Sequence, residues 1–150
     1  VAQNHGAGNP SRVKNGYKVS MIVVFIWGLI CTALLVLLPG QIFKIFIPDA
    51  KVLPLGIDYL RILGVSQLFM CAEIATQGAF GGLAQTIPPS LISIVFTSAR
   101  IPMAMLLAST ALGLNGIWWS ISISSIFKGV LLVSWFLFYL KKYIKRQMDE

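Results

Sequence analysis

Four runs of apolar residues, each closed by proline or glycine, divide the chain. The first extends from about Val19 to Leu38 and stops at Pro39-Gly40. The second starts near Pro54 and ends near Phe80, at Gly81-Gly82, and the third begins after Pro88-Pro89 and ends near Leu112. The fourth runs from about Ile117 to Leu140. Runs of roughly 20 to 27 residues are long enough to cross a hydrocarbon core of about 30 Å as helices, the longer ones with some tilt. Between the first two, "QIFKIFIPDAKVL" alternates apolar and polar residues as a helix lying in the interface does. The pattern therefore predicts an all-α membrane protein of four transmembrane helices plus a short interfacial helix. A soluble protein with four buried helices would need polar outer helices, and none is visible. The polar, glycine-rich opening is unlike the start of a secretory signal peptide.

Composition agrees with that solvent. The chain is 57% hydrophobic and 11% charged, against about 25% charged residues in soluble domains. A net charge of +7 at pH 7 would suit nucleic acid if the bases formed one patch. They gather instead at the chain ends, with Arg12, Lys14 and Lys18 before the first run and Lys141, Lys142, Lys145 and Arg146 after the last. That distribution excludes a nucleic-acid face and marks membrane topology. Four spans put both ends on one side, and the positive-inside rule makes it the cytoplasmic one. The expected organisation is a cytoplasmic loop over 1–18, a transmembrane part over 19–140 and a basic cytoplasmic tail over 141–150, in the cell membrane. The link from Pro39 to Leu53 is then extracellular. The link from Gly81 to Pro89 is a tight cytoplasmic turn, which makes spans two and three antiparallel neighbours. The short third link makes spans three and four an antiparallel hairpin.

The residues offer little to an enzyme. His5 is the only histidine and reads as a loop residue, which removes histidine-based metal sites and triads. Cys31 and Cys71 lie on different spans in apolar surroundings, where thiols act as small hydrophobes. Gly6-Ala-Gly8 is too short for a phosphate loop and follows no strand. No resident cofactor or metal is expected.

The polar residues inside the spans are ordered. In span two, Ser66, Glu73 and Gln77 are spaced by seven and four and share a face with Tyr59, Ile62 and Met70. The opposite face carries Leu60, Gly64, Leu68, Cys71, Ala75 and Ala79, suited to lipid or a packed neighbour. Span three repeats the device with Ser90, Ser93, Thr97 and Arg100, and span four with Ser124, Ser125 and Lys128, flanked by Ser120. A charge at the bilayer centre costs about 2.5 to 3.5 kcal/mol on insertion scales, so such residues face a bundle interior or a watery cavity. Glu73 then has two readings. It is a helix-packing clamp on Arg100 or Lys128, with Arg100 favoured because the short turn brings spans two and three together. Alternatively it is a carboxyl that exchanges a proton or Na⁺, poised between burial, which disfavours its charge, and a nearby cation, which favours it. Arg100 does not titrate usefully and holds a partner in place. Lys128 is a snorkelling or paired lysine or a ligand contact. Trp118-Trp119 reads as an interface anchor, Pro102 as a break that frees backbone carbonyls, and Gly78-x-x-x-Gly82 as a close helix approach.

These residues carry a resemblance. "VAQNHGAGNPSR" is similar to the segment after the second helix of each lobe in multidrug and toxic-compound extrusion (MATE) transporters. "YLRI" at Tyr59 to Ile62, "QGAFGGLAQTIPPS" at Gln77 to Ser90, "RIPMA" at Arg100 to Ala104 and "LGLNGIWWS" at Leu112 to Ser120 follow in family order and spacing. The chain resembles the last four of twelve helices, the end of the second lobe. It begins in mid-loop without an initiator Met, so it reads as a fragment not expected to transport alone. Family members commonly read Gly-x-Gly-Asp-Thr in the cytoplasmic turn. Here Gly82-Leu-Ala-Gln-Thr86 lacks the second Gly and the Asp, so no role of that Asp carries over. The resemblance implies export of a small organic, cationic drug or toxic metabolite by alternating access, driven by inward Na⁺ or H⁺. Its partners are the lipid bilayer and the remainder of the parent transporter. In some relatives an acidic residue on the helix matching span two couples to the cation. Aligned on Gly78-Ala79, one such position falls at Met70, one turn from Glu73 on the same face. The candidate substrate- and cation-binding residues are therefore Glu73, Gln77, Met70, Ser66, Arg100, Thr97 and Lys128. Two alternatives remain: a lipid-linked oligosaccharide flippase of the same superfamily, which would favour several cationic side chains, and a four-helix scaffold subunit whose charges only lock helices together.

Overall fold

The computed structural model describes residues 1–47 and 49–149. Six helices appear among them: α1 (Ala2–Gly6), α2 (Pro10–Leu37), α3 (Pro39–Phe46), α4 (Leu53–Gly82), α5 (Ile87–Ala108) and α6 (Leu114–Asp149). Among the described residues there is no strand. Four helices, α2, α4, α5 and α6, are long and apolar enough to cross a membrane. As little as 6% of the apolar window of α2 is buried inside the chain, so its apolar surface must be satisfied by surroundings other than this chain. The fold is an all-α membrane protein with four spanning helices, as the apolar runs predict.

Several boundaries differ from the hydropathy pattern. Residues 1–18, expected as a loop, are mostly helical. Asn9 caps α2 by accepting from the Arg12 N–H, and Pro10 occupies the first turn, where its missing N–H costs nothing. His5 accordingly belongs to α1 rather than to a loop, and its Nδ1 lies 2.9 Å from the Tyr143 hydroxyl of α6. The basic tail over 141–150 also continues α6 as far as Asp149. At about 1.5 Å per residue, a helix of 36 residues is roughly 54 Å long and must extend past a bilayer core. Of the expected interfacial segment only the first part is helical, as α3, with Phe46 and Ile45 exposed and the Phe43 ring against Gly56 of α4; Ile47 is extended and Pro48 lies outside the described residues.

The order of helices across the bundle is α2, α4, α6, α5, because α4 packs on α2 and α6, while α5 packs on α6. Spans three and four do form a hairpin. Spans two and three, expected as neighbours, touch only sparsely, and α6 packs extensively against both. Two local features account for this. The turn after α4 is a Schellman motif, with Gln85 N–H donating to Phe80 O at 2.9 Å and Ala84 N–H to Gly81 O at 3.0 Å. Ala84 takes the left-handed conformation (φ 55°), which turns the chain away before α5 begins. On α6, meanwhile, small residues admit α4 closely: a Cβ at Gly129 would lie 2.7 Å from the Phe69 carbonyl oxygen. The expected approach at Gly78-x-x-x-Gly82 is not the one used. Gly78 faces open space, and Gly82 meets Val1 and Ala2. The α2–α4 contact uses Gly28 against Leu68 and Gly64 against Val36.

Both chain ends lie at one end of the bundle, where Gly82 meets Val1 and His5 meets Tyr143. There too sits the core, built from α2 (Val13, Tyr17), α4 (Ala79, Phe80) and α6 (Leu132, Phe136, Leu140). Phe136 is its centre, tilted on Tyr17 at 4.3 Å and edge-on to Phe80 at 4.8 Å between ring centroids. At the opposite end Trp118 packs edge-on against Tyr59, 5.4 Å between centroids.

Candidate functional site

The polar stripe of α4 faces α6. Glu73 and Lys128 form an ion pair, Nζ to Oε1 2.8 Å, with side chains only 9% and 11% exposed. The same Oε1 accepts from Gln77 Nε2 at 2.9 Å, one helical turn on. Gln77 Nε2 also reaches the Ser93 hydroxyl of α5 at 3.3 Å, so one amide ties the carboxylate to a third helix. Two donors on one oxygen, one of them cationic, compensate a carboxylate withdrawn from water.

Arg100 is not the partner of Glu73, contrary to the expectation from turn length. Its Nε donates to Ser124 Oγ at 2.9 Å and its terminal nitrogen to Ser125 Oγ at 3.4 Å. Both hydroxyls come from α6, while α5 reaches α4 through Ser93 and Gln77. Among the described residues no carboxylate pairs with Arg100. Two cations and one carboxylate therefore share this region, an excess of one positive charge.

Ser66 lies about two turns from Glu73, toward the α3 end. Fully buried, its hydroxyl shares one proton between Leu63 O at 3.0 Å and Ser122 Oγ at 3.2 Å, while Ser122 Oγ donates to Ile62 O at 2.8 Å. Met70 occupies the turn between Ser66 and Glu73, half-buried and outside the polar contacts. Thr97, expected on the Ser93–Arg100 stripe, lies on the exposed side of α5. The structure thus gathers Glu73, Gln77 and Lys128 with Ser93, places Arg100 and Ser66 on the same α6 seam, and leaves Thr97 outside.

Three polar residues of these contacts stand outside the sequence reading. Ser122 is one of them, within the alternation Ile121-Ser-Ile-Ser-Ser125; its i, i+3 relation to Ser125 and then Lys128 was the available signal. The others are Tyr17 and Thr76, whose oxygens lie 3.0 Å apart across α2 and α4, with Thr76 also donating to Ala72 O at 2.7 Å. Tyr17 sits between Lys14 and Lys18, and nothing in its spacing announces a buried partner.

Comparison with known proteins decides the family. The MatE family model matches residues 1–106. The chain belongs to the MatE family. It is also 26% identical over 139 residues to the probable multidrug resistance protein NorM of Thermotoga maritima, a match covering 91% of this chain and 30% of that relative. The MatE match takes in all of α4 and most of α5, hence Glu73, Gln77, Ser93 and Arg100, while Lys128 lies beyond it. The chain spans less than a third of the length of this relative.

Proposed function

We propose that this chain forms part of the second lobe of a cation-coupled exporter of drugs or toxic metabolites, and that Glu73 is its coupling carboxylate. The NorM-like relative and the MatE family support export; the buried Glu73–Lys128 pair, braced by Gln77, carries the choice of site. A proton or Na⁺ taken up by Glu73 removes the charge that holds Lys128. An uncompensated ammonium in a low-dielectric seam is costly, so Lys128 must find water or a new partner. Uptake of the cation and rearrangement of the α4–α6 contact are then one event, which is the differential contact that alternating access needs. Both chain ends are cytoplasmic in this reading, with the basic ends of α2 and α6 on the side favoured for lysine and arginine.

A second reading rests on the unmatched Arg100. Excess positive charge favours a substrate bearing an anionic group, as a lipid-linked oligosaccharide flippase would handle, over the cationic substrate that the resemblance implies.

The test uses the full-length transporter in proteoliposomes under an imposed Na⁺ or proton gradient. Because Glu73→Gln alone orphans Lys128, the informative protein is Glu73→Gln/Lys128→Met, which removes both charges. Coupling at Glu73 predicts normal abundance with gradient-driven export lost. A purely structural clamp predicts that the double variant exports normally, and that outcome removes Glu73 from the mechanism. Comparing organic cations with organic anions as substrates separates the two substrate readings.

A further inference from the structure

A groove of about 580 Å³ runs between α2 and α6 at the end of the bundle that holds both termini. Its polarity changes along its length. Lys14 and Lys18 of α2 and Lys141 of α6 stand at its mouth, while Met21, Phe25 and Leu137 line the deeper part. Lys14 and Lys18, one turn apart, share a helix face. From Lys14 to Ile26, the deepest lining residue on α2, is about 18 Å at the helical rise of 1.5 Å per residue. Both helices cross the membrane, so this axis follows the bilayer normal, with lysines at headgroup level and apolar walls in the acyl region. All three lysines are exposed, and among the described residues none has a carboxylate partner.

We propose that this groove binds one anionic phospholipid, its phosphate held by Lys14, Lys18 and Lys141 and an acyl chain lying along Met21, Phe25 and Leu137. Charge complementarity selects the occupant. A basic mouth over an apolar slot matches an amphiphile with a negative head. A protein segment filling the same slot would need carboxylates at the lysine level and an apolar face below. The site lies on the α2–α6 face and is separate from the Glu73 seam, so it does not depend on the transport reading.

The experiment uses the full-length transporter in nanodiscs of phosphatidylcholine doped with phosphatidylglycerol carrying a photoreactive diazirine on its acyl chain. Cross-links should map to residues 21–26 of α2 and 133–140 of α6. At about fivefold per lysine, replacing all three by Gln should weaken phosphatidylglycerol capture by on the order of a hundredfold. Lys142→Gln/Lys145→Gln, which removes charges outside the groove, should leave capture unchanged. Equal losses in both variants would mean diffuse attraction to basic helix ends and would overturn the site. So would cross-linking as strong with labelled phosphatidylcholine, or the absence of cross-links from both segments, which would mean that another part of the transporter fills the groove.

Discussion

The two largest interfaces of helix α4 are built from different materials. Toward α2 it packs by steric fit, with Gly28 beneath Leu68 and Gly64 beneath Val36, plus one hydroxyl pair between Tyr17 and Thr76. Toward α6 it also packs closely, at Gly129, yet it carries in addition Ser66–Ser122 and the Glu73–Lys128 ion pair. Small residues suffice to associate helices in a bilayer. The α2–α4 contact uses them with a single hydroxyl pair and no ion pair. The charges on the other face are therefore more than the packing requires, and that surplus is what the proposed coupling role would use.

Orphaning a charge should have the largest effect. Lys128→Met leaves Glu73 buried without its cation and should cost about 3–5 kcal/mol, measured by denaturant titration of the full-length protein in detergent. A loss below 1 kcal/mol would place Glu73 in water rather than in the seam. Next in size is Gly129→Ala. Its new Cβ meets the Phe69 backbone oxygen, which cannot rotate away, so α4 and α6 must separate at a cost of about 1–3 kcal/mol.

The turn after α4 predicts a gain. Ala84 occupies the left-handed position that the resemblance gives to glycine. Ala84→Gly should stabilise the protein by about 1 kcal/mol, because a Cβ in that conformation costs roughly 1–2 kcal/mol. An unchanged midpoint would mean that the turn relaxes elsewhere. The smallest effect belongs to the steric face. Tyr17→Phe removes one interhelical hydrogen bond and should cost about 0.6 kcal/mol, the average for such bonds in membranes. A cost near 3 kcal/mol would erase the contrast between the two interfaces.

The spans were legible because a bilayer tolerates long apolar helices and little else, so Val19–Leu38 and its successors stand out from the sequence. The polar face of α4 was legible too, since spacings of four and seven put Ser66, Glu73 and Gln77 on one stripe. What failed was adjacency. Loop length says that α4 and α5 are joined closely, and Gln77 does reach Ser93, but a tight joint still permits α6 to take most of the packing of both. The decisive features, Ala84 in a left-handed turn and Gly129 against Phe69 O, act through backbone geometry that hydropathy does not register. The start of α2 was missed for a different reason. Asn9-Pro10 is a helix-start signal, but it lies in a polar segment where the search for apolar runs sees only a loop.

Glu73 is bound to Lys128 and not to Arg100, and a pair of double-mutant cycles distinguishes the two partners. Unfolding free energies would be measured for the full-length transporter with Glu73→Gln, Lys128→Met, Arg100→Met and the two double variants that include Glu73→Gln. The structure predicts that Glu73→Gln offsets much of the damage done by Lys128→Met, with an interaction energy of about 1–3 kcal/mol, while its effect adds to that of Arg100→Met within about 0.5 kcal/mol. Coupling to Arg100 with additivity at Lys128 would contradict the order α2, α4, α6, α5 and the site built on it.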